Sequence, residues 1–328
     1  MAEARRNVNV AIIGAGAAGI AFAIALKKQH GFKNFVIYDK GSEVGGTWRD
    51  NIYPVRRYFM PSRALTNATD LKGCSSDVPM VLYSLSSETK YDWPQSHGSQ
   101  EEIFEYWKEV ARKNNLYSHI SFNHLVSSAK WNSDLTLYEI GVTNTITGEH
   151  LQRTANILVS AVGVLENPRF ADIPGVGTFK GDIFHSARWD KSVDLRGKRV
   201  AVIGNGSSAA QFVPKITNDP SVYVVNFVRS PGWLWRPVCD GWILSFEARK
   251  LRHGDRFESS IRPSEAMGCK RLIFDTGYLE AMHRPNLKMN FDGIESIVED
   301  GIVTKKNGEH IPFDVMIFAT GYAAVSFI

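Results

Sequence analysis

Two glycine-rich turns limit what this chain can become. The first, Gly14-Ala15-Gly16-Ala17-Ala18-Gly19, follows the β-branched run Asn7–Ile13 and opens a helix-forming segment that reaches about Gln29. The second, Gly204-Asn205-Gly206-Ser207-Ser208-Ala209, follows the apolar run Val200–Ile203 and also opens a helix. A strand that enters a tight glycine turn and leaves as a helix is the geometry of a dinucleotide-binding unit. The first glycine makes the turn, the second lets backbone N–H groups approach a pyrophosphate, and the helix dipole favours the negative charge. G-x-G-x-x-G alone is a weak signal, and the flanking strand and helix make it specific. The residue 20 positions beyond each turn separates the two sites. After Gly19 it is Asp39, at the end of the strand Phe35–Tyr38; after Ala209 it is Arg229, followed by Ser230. An acid suits a free ribose diol, and a guanidinium suits a 2′-phosphate. The fold class expected is α/β, with two Rossmann-like domains.

A chain of 328 residues holds about two domains of ordinary size. With 44% hydrophobic and 22% charged residues it is globular, and a net charge of +4 leaves no nucleic-acid stripe to expect. Its three cysteines, Cys74, Cys239 and Cys269, are far apart, with no C-x-x-C. That argues against a dithiol reductase and against a zinc ribbon, predicts no metal site, and suits a reducing, cytoplasmic compartment. The apolar run Val8–Leu26 is long enough to tempt a membrane assignment. Gly14, Gly16 and Gly19 interrupt it and no cleavage site follows, so it reads as strand, turn and helix.

Further along, Gly45-Gly46-Thr47-Trp48 alone reads as a turn and a core tryptophan. Ser99-Gln100-Glu101-Glu102 is a capping box before a helix over Gln100–Asn114, with Ile103, Trp107, Val110 and Ala111 on one stripe. Short strands follow over Ile120–Glu149 and Asn156–Val162. Phe179–Asp190 then reads F-x-G-x-x-x-H-x-x-x-W-D. Its His185 could serve as an acid or base, but that requires a partner that the sequence does not name. A last apolar strand, Asp314–Ala319, ends in Ala319-Thr320-Gly321-Tyr322.

Two nucleotide turns with this dodecapeptide before the second resemble the class B flavoprotein monooxygenases, and among them the Baeyer–Villiger monooxygenases. The resemblance implies FAD at the first turn and NADPH at the second. It lays Gly46, Thr47 and Trp48 along FAD, and treats His185 as organising the site between the cofactors. It matches Lys270 to a basic residue near the NADPH phosphate and Arg271 to the arginine beside the reacting flavin. Asp77 would hold that arginine, and Thr320-Gly321 closes the nicotinamide domain against the flavin. The domains implied are 1–165 for FAD, 166–318 for NADPH with an abbreviated middle region, and 319–328 returning to an FAD domain that looks incomplete at its C-terminus. The partners implied are a small-molecule ketone and O2, with no nucleic acid and no membrane segment, and the product is an ester or lactone. An N- or heteroatom-hydroxylating monooxygenase, an NADPH oxidase that releases hydrogen peroxide, and a truncated nucleotide-binding remnant are the alternatives.

One stretch departs from the family. The pattern Tyr-Pro-Gly-x-x-x-Asp starts at Tyr53-Pro54 and resumes only at Gly73-Cys74-Ser75-Ser76-Asp77. Val55–Lys72 therefore reads as an 18-residue insertion. Valine codons begin GT and a lysine codon can end AG, so a retained in-frame intron fits the borders. That would point to a fungal gene and secondary metabolism.

Overall fold

The computed structural model describes residues 8–55, 74–235 and 272–323. Within them the chain divides into two units. The first holds 8–50, 78–167 and 322–323; the second holds 51–55, 74–77, 168–235 and 272–321.

In the first unit, β1 (Val10–Ile13) turns into α1 (Ala17–His30), and the chain returns through β2 (Phe35–Tyr38) to a short α2 (Thr47–Asp50). α3 (Gln100–Lys113), β3 (Ile120–Ser121), β4 (His124–Asn132), β5 (Leu137–Asn144), β6 (His150–Ala155) and β7 (Ile157–Ser160) follow. The sheet order is β3-β2-β1-β7, all parallel. A parallel strand is covered on both faces, so β1 carries four buried apolar residues in succession. The expected capping box starts α3: Glu102 N donates to Ser99 Oγ at 3.2 Å, and Ser99 N to Glu102 Oε2 at 2.7 Å. Ile103, Trp107, Val110 and Ala111 are buried against Ile20 and Ile24 of α1 in one apolar cluster. Glu88 clamps the two helices. Its buried carboxylate meets Lys28 at 2.5 Å and Lys113 at 2.8 Å, and accepts from Asn114 Nδ2 at 3.1 Å. Burial works against its charge, but those partners hold its pKa down at about 2. β4, β5 and β6 form a separate antiparallel meander.

The second unit repeats the plan. β8 (Asp182–His185) precedes β9 (Arg199–Ile203), α4 (Ser207–Ile216) and β10 (Tyr223–Phe227). After β11 (Leu234–Trp235) and β12 (Ile273–Phe274) come α5 (Tyr278–Ala281), β13 (Leu287–Asn290), β14 (Ile294–Val298), β15 (Gly301–Thr304), β16 (His310–Pro312) and β17 (Val315–Phe318). The sheet order is β13-β10-β9-β17-β8, again all parallel, and β14-β15-β16 forms an antiparallel meander. A turn at Asn307-Gly308 joins β15 to β16, with Gly308 at φ +63°.

The division differs from the sequence expectation at three places. Asn51–Val55 and Cys74–Asp77 pack with the second unit, not the first, and the chain returns to the first unit at Tyr322 rather than at residue 319. The smallest difference is the crossing, after Asn167 rather than after residue 165. Side-chain bonding to α4 accounts for the first difference: Tyr53 Oη and Ser75 N both donate to Gln211 Oε1. The flanks of the expected insertion also meet, because Cys74 N donates to Asn51 O at 3.4 Å. Val55 is itself buried, so the first residue assigned to the insertion belongs to the fold.

A chain lacking Val55–Lys72 joins Pro54 to Gly73. It leaves only Ile52, Tyr53, Pro54 and Gly73 between the hydrogen-bonded Asn51 and Cys74, an ordinary short loop. Losing the buried Val55 side chain costs about 1.5–3 kcal/mol. Shortening the loop returns roughly 1–2 kcal/mol of closure entropy. The deletion variant should therefore melt within a few degrees of the parent; a fall beyond about 10 °C would make the segment an integral part of the fold.

Candidate functional site

Each unit presents its glycine turn at the C-terminal end of its first central strand. In the first unit Gly14 takes φ +106°, and its N–H donates to Tyr38 O at 2.8 Å. A Cβ there would lie 2.6 Å from Ala161 O, just beyond β7. In the second unit Gly204 takes φ +108°, its N–H donates to Phe227 O at 3.0 Å, and a Cβ would lie 2.5 Å from Ala319 O, just beyond β17. Only glycine meets both demands. The parallel extends to the strands alongside: Ala161-Val162-Gly163 and Ala319-Thr320-Gly321 occupy matching places, with Gly163 at φ +73° and Gly321 at φ +77°. The A-x-G repeat after two apolar strands is the sequence signal for Ala161–Gly163.

Gly16 and Gly206 are the N-cap residues of α1 and α4. Neither helix has a capping side chain or an acidic residue in its first turn. A helix start without an internal acceptor leaves N–H groups and a positive dipole end for an anion. Among the described residues a Cβ on Gly206 would meet no atom within 4 Å, and Ser207 and Ser208 start α4 beside it. In the first unit Gly46, at φ +51°, brings its own chain against Gly16: a Cβ on Gly46 would lie 3.2 Å from Gly16 Cα. Gly19 packs α1 onto the turn so closely that a Cβ would collide with Gly14 O. Ala209, its counterpart, already carries a buried methyl. Both turns thus fit a dinucleotide pyrophosphate.

Asp39 does more than the sequence suggested. It is buried at the end of β2, and its Oδ2 accepts from Ala15 N at 2.7 Å. Its Oδ1 accepts from Gly41 N at 2.8 Å and Arg49 Nη1 at 2.9 Å. The acid therefore braces the turn. Arg49, which sequence reasoning missed, also donates to Glu43 O at 2.6 Å and to both oxygens of Asp50 at 2.8 and 3.1 Å. Burial opposes its charge, but the bonds to Asp50 and the fields of Asp39 and Asp50 raise its pKa. Thr47 Oγ1 donates to Leu165 O at 3.5 Å. Trp48 is half-buried, with Nε1 donating to Tyr83 Oη at 2.5 Å and the rings edge-on at 5.4 Å.

In the second unit, buried Asn226 on β10 donates through Nδ2 to Gly204 O at 2.8 Å and Val202 O at 3.1 Å, and accepts from Tyr278 Oη. Pro214 lies within α4 and cannot donate to Ala210 O, one turn back. Thr276 Oγ1 donates to that carbonyl instead, at 2.8 Å. Arg229 is exposed and Ser230 half-buried just past β10. A shallow recess lined by Asn205, Val228, Pro231, Gly232, Tyr278 and Met282 lies beside the turn, where open parallel sheets bind ligands.

His185 ends β8, in register with Phe318 of β17. It is buried, and its Nδ1 accepts from Ala187 N at 3.1 Å. Nδ1 therefore carries no hydrogen, and the neutral ring bears it on Nε2. Burial pushes the pKa down, to about 4, against a hydrogen bond with the Gly321 backbone that raises it; Arg188 lowers it further. Trp189 of the same motif packs edge-on against Phe184 and Phe212, at 5.2 and 5.3 Å. Asp77 is half-buried. Lys270 and Arg271 lie outside the described residues.

The family described as pyridine nucleotide-disulphide oxidoreductase matches residues 11–227. The chain is 32% identical to the FAD-binding monooxygenase ktnD of Aspergillus niger, over 98% of this chain and 58% of that protein. It is also 32% identical to a Baeyer–Villiger monooxygenase of Streptomyces coelicolor, over 98% of this chain and 65% of that protein. The crystal structure of OTEMO in complex with FAD and NADP superposes with a TM-score of 0.80 at 25% identity, covering 97% of this chain and 72% of that one. The chain thus spans about three-fifths of the length of these two sequence relatives.

Proposed function

Because the chain belongs to the pyridine nucleotide-disulphide oxidoreductase family, we propose that it binds FAD at Gly14–Gly19 and NADPH at Gly204–Ala209, and with O2 converts a ketone to an ester or lactone. The disulphide chemistry in the family's description has no dithiol to act through here, since the sequence contains no C-x-x-C. The balance is ketone, O2, NADPH and a proton giving ester, NADP+ and water. One oxygen atom enters the bond beside the carbonyl, and the other leaves as water. Bound flavin supplies the hydride acceptance and oxygen activation that no side chain can.

The residues have separate tasks in this reading. Gly16 and Gly206 open the helix N-termini to the two pyrophosphates, with Ser207 and Ser208 adding hydroxyl donors. Asp39 accepts from the flavin-side ribose, and Gly46, Thr47 and Trp48 line the same cofactor. Arg229, Ser230 and Lys270 hold the 2′-phosphate. Arg271 stabilises negative charge on the substrate oxygen, and Asp77 orients that guanidinium. His185, neutral and held by Ala187 N at its Nδ1, organises the site between the cofactors and transfers no proton. The reaction belongs in the cytoplasm and, with the intron reading, in fungal secondary metabolism.

The observation that carries this reading is the pair of glycine N-caps with unlike partners beyond them, a buried acid at Asp39 and an exposed base at Arg229. The test is the visible spectrum of the purified chain, followed by titration with NADP+ and NAD+. Flavin absorbance, with NADP+ bound at least about tenfold more tightly than NAD+ through charge-assisted phosphate bonds, is expected. A colourless protein that binds neither nucleotide would sink the reading.

A further inference from the structure

Gln211 lies in the second turn of α4, one helical turn beyond Ser207 on the same face. It is buried, and its side-chain amide is committed to the segment that leads to Asp77. Oε1 accepts from Ser75 N at 3.3 Å and from Tyr53 Oη at 3.2 Å, while Nε2 donates to Ser75 O at 3.2 Å. The amide therefore acts towards Ser75 as a neighbouring strand would, taking its N–H and supplying its carbonyl. Phe212, the next residue, packs edge-on against Tyr53 at 6.1 Å. The Cys74 to Asn51 bond closes the two strands of chain onto each other. One short helix thus carries a phosphate-binding N-terminus at Gly206 and, five residues on, the anchor of a segment more than 130 positions earlier in sequence.

We propose that Gln211 is a positioning residue that fixes the Ser75–Asp77 segment to the helix of the second dinucleotide turn, so that a dinucleotide bound there orders Asp77. The proposal rests on the assignment of a dinucleotide to Gly204–Ala209. Its physical basis is short-range. A pyrophosphate seated on the first-turn N–H groups restrains the start of α4, and Gln211 passes that restraint to Ser75 through two hydrogen bonds. Without the amide, the Ser75 N–H and carbonyl and the Tyr53 hydroxyl lose buried partners, and the segment opens more readily.

The test is amide hydrogen exchange on the full chain with and without NADP+, comparing the parent with Gln211→Leu and Gln211→Glu. Without nucleotide, Gln211→Leu should speed exchange at Ser75 about tenfold, and Gln211→Glu, which keeps the acceptor, by much less. With NADP+, the parent should be protected at 205–209 and again at 75–77. Gln211→Leu should keep the first protection and lose the second; if it fails to fold, Gln211→Glu should show the second reduced. Protection at 75–77 undiminished in the variants would overturn the proposal. Protection of the parent at 205–209 alone would overturn the coupling and leave the nucleotide assignment standing. Protection at neither place would remove both.

Discussion

Replacing Asp39 with leucine is expected to give a colourless protein whose first unit is several kcal/mol less stable than the parent's. The carboxylate accepts from three donors in a nearly dry environment: Ala15 N, Gly41 N and Arg49 Nη1. Leucine accepts from none. Each buried donor left unsatisfied costs about 1–3 kcal/mol. Arg49 keeps Asp50 and Glu43 O, so its share falls at the low end. The sum is roughly 3–6 kcal/mol, a large part of the 5–15 kcal/mol that typically holds a domain together. Flavin would also lose its ribose acceptor and the brace on the turn under its pyrophosphate. Asp39→Asn separates the two effects. It keeps the shape and one acceptor oxygen, so it should lose less stability while still binding flavin weakly. Flavin-to-protein absorbance ratios and urea midpoints for the three proteins decide the matter. A leucine variant with full flavin and an unshifted midpoint would refute the bracing role.

The nucleotide turns were legible because their chemistry is local. A β-branched strand, spaced glycines and an apolar helix are all within one stretch of sequence; β1, α1 and β9 stand within a few residues of their expected limits, and α4 opens at the second turn as expected. The capping box at Ser99 was legible for the same reason. What could not be read is bonding over long sequence separations. Nothing near Gln211 announces that its amide will bind Ser75, and nothing near Asn51–Val55 says that this segment packs with the second unit. Arg49 was hidden by its neighbours in the G-G-x-W segment, which drew attention to the tryptophan. Asn226 looked like one polar residue in a strand, and only the fold aims its amide at Gly204 O. Nothing in the sequence around Thr276 announces its task; replacing the N–H that Pro214 lacks becomes visible only in the fold, where its hydroxyl reaches Ala210 O. Arg271 and Lys270, the most consequential residues of the resemblance, lie outside the described residues, so their roles rest on the sequence alone.

His185 should make the second unit progressively less stable as the pH falls from about 6.5 towards 4. In the unfolded chain its pKa is close to the ordinary value of 6.5, whereas burial lowers it to about 4 in the fold. Between those values the unfolded chain binds the extra proton and the native state does not, so acidification favours unfolding. The stability tied to the neutral ring is complete above 6.5 and is lost on the way down to 4. The difference of about 2.5 pH units corresponds to roughly 3 kcal/mol, most of it lost by pH 4.5. The geometry explains why protonation cannot be absorbed locally. Nδ1 already accepts from Ala187 N at 3.1 Å, and a proton there would set two hydrogens against each other. Phe170 packs edge-on at 5.6 Å, leaving little room for water to approach the ring. His185→Gln can accept from Ala187 N and has nothing to titrate. Urea midpoints at pH 7.5 and 4.5 should therefore differ by about 2–3 kcal/mol more for the parent than for the variant. Glu88, whose pKa is also displaced, is common to both proteins and cancels in that comparison. Equal losses in the two proteins would mean that the imidazole takes up its proton as readily in the native state as in the unfolded chain. His185 would then be free to donate a proton, and its assignment as a purely positioning residue would fall.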